Sequence, residues 1–293
     1  MSKLSLVYNP LSGGFHEAHL AVFVEALSQA GFQVTPIADA RGDVLLQTEA
    51  DIVCIYGGDG TLRDTVAALG EDAGRIPLCI VPSGTINLVA RELGYVHDPQ
   101  AFVRKLVHAW EAGPDSWVKA PLFRLGNTPI VSCLSIGPDS RAVAQVSGPL
   151  KQRIGRFAYV AALMKQLPNW PREVISLRGE LVTGEPFSVS AESVIVSSSA
   201  YFAGPFRLSP EANLRAASLE LVTLAKSTRL STLVLAGSAA AGLPLDRYGL
   251  AEIRTVRRIE FDRCVTPIQV DGDHIPDYAG SVEPAGLTLR YVV

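Results

Sequence analysis

Residues Asp51–Tyr56 (DIVCIY) are apolar at five of six positions and run without a break into Gly57-Gly58-Asp59-Gly60-Thr61. A strand without a polar side has to be buried on both faces, which is the situation of a parallel sheet covered by helices. The same grammar brackets it. Leu4–Tyr8 stops at Asn9-Pro10-Leu11-Ser12-Gly13-Gly14, and Ile76–Val81 stops at Pro82-Ser83-Gly84. Leu20, Val24 and Leu27 give Glu17–Ala30 helical spacing, closed by Gly31. Leu62–Leu69, Ile86–Leu93 and Phe102–Trp110 also read as helices, and Phe32–Ile37 as a further strand. Strands alternating with helices predict an α/β domain with a parallel sheet and helices on both faces.

The pattern changes near Ala112–Asp115, and the chain of 293 residues is long enough for about two domains. Strand-like runs follow at Trp117–Leu125, Pro129–Ile136, Val174–Val182, Phe187–Ser197, Leu219–Leu224, Val256–Phe261, Thr266–Val270 and Leu287–Val292. Turn signals such as Gly126-Asn127, Thr183-Gly184 and Asp271-Gly272 separate several of them. Only Arg156–Leu167 and Leu230–Ala241 look helical. This half reads as largely antiparallel β structure, and no internal repeat is visible.

With 48% hydrophobic residues the chain can fill two cores, so disorder is not expected. Twenty-six basic residues against 29 acidic ones give a net charge of −3, which argues against a nucleic-acid partner. The charge is uneven, however. Arg141, Lys151, Arg153, Arg156, Lys165 and Arg172 fall in one stretch, Ser140–Arg172, that has no acid. Such a run is most often a solvated face, and otherwise suits a phosphate-bearing ligand or an anionic membrane. Cys54, Cys79, Cys133 and Cys264 sit in apolar surroundings without a C-x-x-C pair, so they read as buried side chains in a reducing compartment. Leu4–Tyr8 is too short for a secretory signal, and Leu230–Leu245 is broken by Gly237, Gly242 and Pro244 and too short for a membrane span. These features predict a soluble, cytoplasmic protein.

Three glycine-containing loops at the carboxyl ends of parallel strands would converge on one crevice. Glycines at Gly57, Gly58 and Gly60 let backbone N–H groups approach a phosphate chain, and the helix that follows adds a positive dipole end. Asp59 could meet Mg²⁺ through water or take a hydroxyl proton; the plainer reading is a glycine-rich turn with Asp59 as helix N-cap. The loop is not a Walker A motif, since no Gly-Lys-Ser/Thr follows, and G-x-G-x-x-G does not follow the first strand. Asp271-Gly272 between apolar runs is by itself a hairpin signal. His16 and His19 lack a third ligand in the sequence and read as surface residues, and Trp110, Trp117 and Trp170 as core or boundary residues.

Taken together, NPLSGG (9–14), GGDGTL (57–62) and PSGTINLVARELG (82–94) resemble the diacylglycerol kinase catalytic-domain superfamily, which includes bacterial lipid kinases, sphingosine kinases and ceramide kinases. GGDGT alone is shared with NAD kinases; the first and third elements are more specific. The likeness continues in order through Ser135–Asp139, Arg153–Tyr159, Tyr201–Gly204, Leu208–Ala212 and Val270–Asp273. It implies an α/β nucleotide-binding domain over 1–115, completed by 280–293, and a β-sandwich-like lipid-substrate domain over 116–279, with the active site between them. It further implies Mg²⁺ and ATP as cofactor and co-substrate, a lipid acceptor met at the membrane surface by a protein peripheral to it, and leaves a homodimer open. By residue matching, Asn9, Ser12, Gly13, Gly57, Gly58, Asp59, Gly60, Thr61, Thr85 and Asn87 would line the nucleotide site, with Arg153 or Arg156 reaching the phosphates. Asp59 would carry the nucleotide's Mg²⁺ and stand with Asp271 and Asp273 as a catalytic carboxylate, and Asp139 would face the lipid head group.

The chain departs from the family pattern at four places. Arg63 stands where Asn is usual, Leu88 where an acid follows Asn87, Ala217-Ser218 where Asp-Gly binds a structural metal, and Asp273 where Glu is usual. Two rivals to an ATP-dependent lipid kinase therefore remain: a kinase of a soluble acceptor such as NAD, and a nucleotide- or lipid-binding protein without turnover.

Overall fold

The computed structural model describes residues 1–39, 49–145, 165–166, 168, 170, 172–209, 211–246, 249–262, 266–275 and 280–293. Arg153, Arg156, Cys264 and most of the helix expected over Arg156–Leu167 lie outside the described residues. The chain divides into two units, Met1–Leu122 with Gly286–Val293, and Phe123–Ala285.

The first unit is the α/β domain. Its strands are β1 (Ser2–Tyr8), β2 (Phe32–Ala38), β3 (Ile52–Gly57) and β4 (Leu78–Pro82). Its helices are α1 (Glu17–Gln29), α2 (Asp59–Leu69), α3 (Leu88–Glu92) and α4 (Pro99–Ala112). β1 pairs in parallel with β2 on one side and β3 on the other, and β3 pairs in parallel with β4. Chain order thus reverses direction at β1/β3, the switch point where an open α/β sheet leaves a crevice. The two inner strands β3 and β4 are apolar because both faces are covered: all six residues of β3 are buried, whereas the edge strand β2 leaves Gln33, Thr35 and Pro36 less covered. Register sets the loops level. Tyr8 lies opposite Tyr56, and Gly57 opposite Pro82, so the segments after β1, β3 and β4 leave from one edge.

The second unit begins within β5 (Val118–Leu125) and holds β6 (Thr128–Ile130), β7 (Cys133–Ile136), α5 (Pro138–Gln145), β8 (Ile175–Leu181), β9 (Pro186–Ala191), β10 (Ser193–Ser197), β11 (Leu219–Leu224), α6 (Arg229–Ala240), β12 (Glu252–Phe261), β13 (Ile268–Val270), β14 (Asp273–Ile275) and the start of β15 (Gly280–Tyr291). Every pairing registered within it is antiparallel. One layer runs β14-β13-β7-β10-β11-β12. β12 then leaves β11 and pairs on both sides with β8 and β15, passing a bulge between Val256 and Arg258, so it serves two layers. Leu134, Ile136, Val194 and Leu221 from one layer share a core with Phe123, Leu177, Ile259 and Val282 from the other, which makes the domain sandwich-like. On the outer face of the first layer, Ile195, Val222 and Leu224 pack against Leu235 and Ala239 of α6.

Several boundaries differ from the sequence expectation for local reasons. Pro129–Ile136 is not one strand, because Val131 and Ser132 turn their N–H groups to the Asp271 carboxylate between β6 and β7. Phe187–Ser197 breaks at Glu192, whose side chain binds Arg172 and the Ser227 N–H. α3 starts only at Leu88, because Asn87 is left-handed (φ 55°, ψ 57°). Two short elements, α5 and β14, carry too few periodic residues to be visible in the sequence. Cys54, Cys79 and Cys133 are buried and unbridged. Among the described residues no helix is long and apolar enough to cross a membrane.

The end of β15 closes the first sheet. Tyr291 pairs in parallel with Leu78, the Val292 N–H donates to the Leu78 carbonyl (2.9 Å), and the buried Tyr95 hydroxyl donates to the Val292 carbonyl (2.7 Å). Tyr95→Phe removes that donor, so the variant should lose about 1–2 kcal/mol of stability. Urea unfolding read by far-UV circular dichroism measures it; an unshifted midpoint would mean that the strand is held by its pairing and packing alone.

Candidate functional site

Loop one follows β1 as an Asx turn: the Leu11 N–H donates to Asn9 Oδ1 (2.8 Å) and the Ser12 N–H to the Asn9 carbonyl (3.1 Å). Phe15 then stacks on Tyr8 at 5.4 Å and meets Tyr56 edge-on at 6.4 Å, which ties the loop back to the ends of β1 and β3. Ser12 is half-buried and Gly13 exposed. Loop two is Gly57-Gly58, passing directly into α2 with Gly58 as the N-cap. Thr61 is buried in the first turn, and its carbonyl accepts the Thr65 hydroxyl (2.7 Å). Loop three is Ser83–Asn87, with Thr85 half-buried at its middle. Asn87 Nδ2 donates to the Gly84 carbonyl (2.8 Å) and closes that loop on itself.

The three loops touch where only glycine fits. A Cβ on Gly14 would stand 1.6 Å from the Ser83 carbonyl oxygen, and one on Gly84 would stand 2.6 Å from the Gly58 Cα. Asp59 binds the second loop to the third. It does not cap its own helix; Oδ2 accepts the Leu88 N–H (2.8 Å) and Oδ1 the Val89 N–H (3.0 Å), at the start of α3. A carboxylate there satisfies two orphan donors and opposes the helix dipole. Leu88, where the family pattern has an acid, is buried and serves through its backbone. Arg63 pairs with the neighbouring Asp64 at 2.9 Å.

Two polar atoms at this junction, Ser83 Oγ and Asn87 Oδ1, are buried without a hydrogen-bond partner, and so is the Tyr56 hydroxyl at the end of β3. Buried polar groups are nearly always satisfied, so such a cluster marks a place where a ligand or water completes the set. Glycines, a helix start and orphan hydroxyl and amide groups form a surface that can take a phosphate chain.

The second unit gathers the other acids. Asp271 and Gly272 have φ of 51° and 84° and form the turn between β13 and β14, so the hairpin reading of Asp-Gly holds. The Asp271 carboxylate is buried and accepts four hydrogen bonds: from the N–H of Val131 (3.0 Å), Ser132 (2.8 Å) and Cys133 (3.1 Å) and from the Ser132 hydroxyl (2.6 Å). Its geometry is that of a clasp on residues 131–133. Asp273 is half-buried at the start of β14. Asp139, in the first turn of α5, accepts the Ser135 hydroxyl. Ser135 Oγ accepts from Gln269 Nε2 (2.9 Å), and Gln269 Oε1 accepts the Gly272 N–H (2.8 Å). One chain of hydrogen bonds therefore links Asp139 to the Asp271 turn. Removal from water pushes the Asp139 carboxyl up, against the lowering effect of the Ser135 hydroxyl.

Sequence reading gave no role to Ser132, Ser135 or Gln269. Their signal is polarity inside apolar strands: Ser135 and Gln269 face each other across β7 and β13 and are both buried. His16 and His19 lie 5.4 Å apart, with His97 5.8 Å from His19, and the described residues hold no cluster fit for a metal ion.

Residues 3–113 match the family model of the diacylglycerol kinase catalytic domain, and residues 132–291 match that of the YegS C-terminal NAD kinase beta sandwich-like domain. A diacylglycerol kinase of Bacillus subtilis (strain 168) is 27% identical over 81% of this chain and 80% of its own. One from Staphylococcus carnosus (strain TM300) is 22% identical over 98% and 92%. The crystal structure of a diacylglycerol kinase from Bacillus anthracis strain Sterne superposes with a TM-score of 0.71 at 16% identity, over 99% of this chain and 96% of that one.

Two stability effects follow from the second unit. Asp271→Ala takes the carboxylate acceptor away from three N–H groups and one hydroxyl, so it should cost about 3 kcal/mol or more in chemical denaturation, and Asp271→Asn, which keeps one acceptor oxygen, clearly less. Asp139 has a folded pKa above its unfolded value of 3.8, so its contribution is complete below that value and is lost as pH rises through the folded one. Asp139→Asn should therefore be more stable than the wild type near neutral pH, with the gap closing as pH falls toward 3.8; parallel unfolding midpoints that keep the same gap at every pH would refute it.

Proposed function

Because the chain belongs to the diacylglycerol kinase catalytic-domain superfamily, we propose that it transfers the γ-phosphoryl group of ATP to the hydroxyl of a lipid, with a diacylglycerol-like or other long-chain acceptor. The observation that carries this reading is the junction of the three loops, where Gly14, Gly58 and Gly84 clear the surface and Ser83 Oγ and Asn87 Oδ1 stand buried and unpartnered. Phosphoryl transfer asks mainly for positioning and for positive potential around the moving group. In this reading Asn9, Ser12, Gly13, Gly57, Gly58, Gly60, Thr61, Thr85 and Asn87 bind the nucleotide. Asp59 acts first by fixing α3 against the second loop. Asp59 would also hold the Mg²⁺ that accompanies ATP, through water because both of its oxygens already accept N–H groups, and that ion would supply charge neutralisation.

On the acceptor side, Asp139 meets the lipid head group through its link to Ser135 and Gln269. The hydroxyl proton goes to the acidic pair at the β13–β14 turn. In this reading Asp273, half-buried at the start of β14, is the base, and Asp271, which holds residues 131–133, fixes the turn that carries it.

Phosphate transfer from γ-labelled ATP with Mg²⁺ tests the reading, using detergent-dispersed lipids with NAD as a soluble acceptor. Labelled lipid is expected, lost by at least about a hundredfold in Asp273→Ala and Asp59→Ala. Labelled NAD would turn the assignment to a soluble-acceptor kinase, to which the likeness of residues 132–291 to an NAD kinase beta sandwich-like domain also points. Nucleotide binding without any labelled acceptor would make the protein a binder.

A further inference from the structure

α6 is apolar on two opposite faces, but only one of them is covered. Leu235, Ser238 and Ala239 turn to the sheet and are buried. Leu230, Leu233 and Val234 share the other side by i, i+3, i+4 spacing and are 71%, 58% and 38% exposed; Leu243, just past the helix, is 44% exposed. These four make up a large part of the exposed large hydrophobics among the described residues, and the others are scattered along the chain. No charged residue occurs between Leu230 and Leu245. A helix with an uncharged outer face is not at rest in water. At about 1.5 Å per residue, 12 residues reach roughly 18 Å, too short to cross a hydrocarbon core of about 30 Å.

The surroundings of the helix start supply the second observation. Lys226 and Arg229 are exposed there, and the Arg229 guanidinium donates to the Pro168 carbonyl (3.0 Å). The half-buried Trp170 donates its indole N–H to the Ser227 carbonyl (2.7 Å). Glu192, a carboxylate in this neighbourhood, is bound by Arg172 in two 2.6 Å hydrogen bonds and by the Ser227 N–H at 2.8 Å. An uncharged apolar helix with basic side chains and a tryptophan at one end matches an anionic lipid interface: an acyl boundary below, phosphates at the rim, and an amphipathic ring between. A second copy of this chain would bring the same cations against themselves.

We propose that α6 docks the protein on an anionic phospholipid bilayer, with Leu230, Leu233 and Val234 entering the headgroup–acyl boundary and Lys226 and Arg229 meeting lipid phosphates. The proposal rests on the lipid-kinase reading, since an acceptor dissolved in a bilayer has to be met there. The helix lies in the interface plane and does not span it.

Sedimentation of the full-length protein with vesicles of phosphatidylcholine and phosphatidylglycerol tests it, beside vesicles of phosphatidylcholine alone. The wild type should bind the anionic vesicles, more weakly at high salt. Leu230→Glu with Leu233→Glu, both at exposed positions, should bind them about tenfold less or worse. Lys226→Gln with Arg229→Gln should lose the salt-dependent part. Phosphorylation of a short-chain diacylglycerol in detergent, run in parallel, should be the same in all variants. A wild type that stays in the supernatant, or a leucine double variant that sediments like the wild type, overturns the docking surface whatever the kinase assay gives. Light scattering that shows a wild-type dimer split by the leucine substitutions, with vesicle binding intact, overturns it in favour of a contact between copies. If vesicles bind as expected but no lipid is phosphorylated, docking stands and the kinase reading falls.

Discussion

The carboxylate of Asp59 reaches from the loop after β3 to the first two free donors of α3, one oxygen to each. Most of what is distinctive in the first unit follows from that span. It needs α2 to begin immediately after β3, which Gly57-Gly58 allows, and α3 to begin late, which the left-handed Asn87 enforces. With both helices set, Gly58 and Gly84 come into contact and no side chain can lie between them. A charge-assisted hydrogen bond pair of this kind is stronger than a neutral one and sets direction as well as distance. The loops are thereby held in shape before any ligand arrives.

The second unit repeats the device with another carboxylate. Asp271 sits in a two-residue turn and gathers the N–H groups of a facing segment that would otherwise continue a strand. Both acids thus use backbone donors to hold a loop. Within the Asp-Gly-Asp sequence the first acid is committed to architecture.

Most of the first unit could be read from the chain. Its inner strands β3 and β4 are buried on both faces, so their apolar runs are unambiguous, and each ends in residues with strong turn chemistry. The second unit was legible as a class and less so in detail. Pro129–Ile136 looks continuous because the interruption at Val131–Ser132 comes from Asp271, some 140 residues away. Ser135 and Gln269 become visible as partners only once β7 and β13 are paired. The three glycine-bearing loops of the first unit come together as the glycine pattern suggested. What Asp59 binds could not be foreseen, since a local cap and a cap of the next helix leave the same letters in the sequence.

β4 obtains its outer neighbour from residues near 291, after the entire second unit has intervened. During synthesis, then, β4 has an unpaired edge for as long as it takes to make more than half of the protein. An apolar strand with open donors and acceptors is a template for any other strand that passes. The yield of native protein should accordingly be decided by a race between chain elongation and edge-to-edge association, and slow translation or high temperature would tilt that race without altering a single contact of the finished fold.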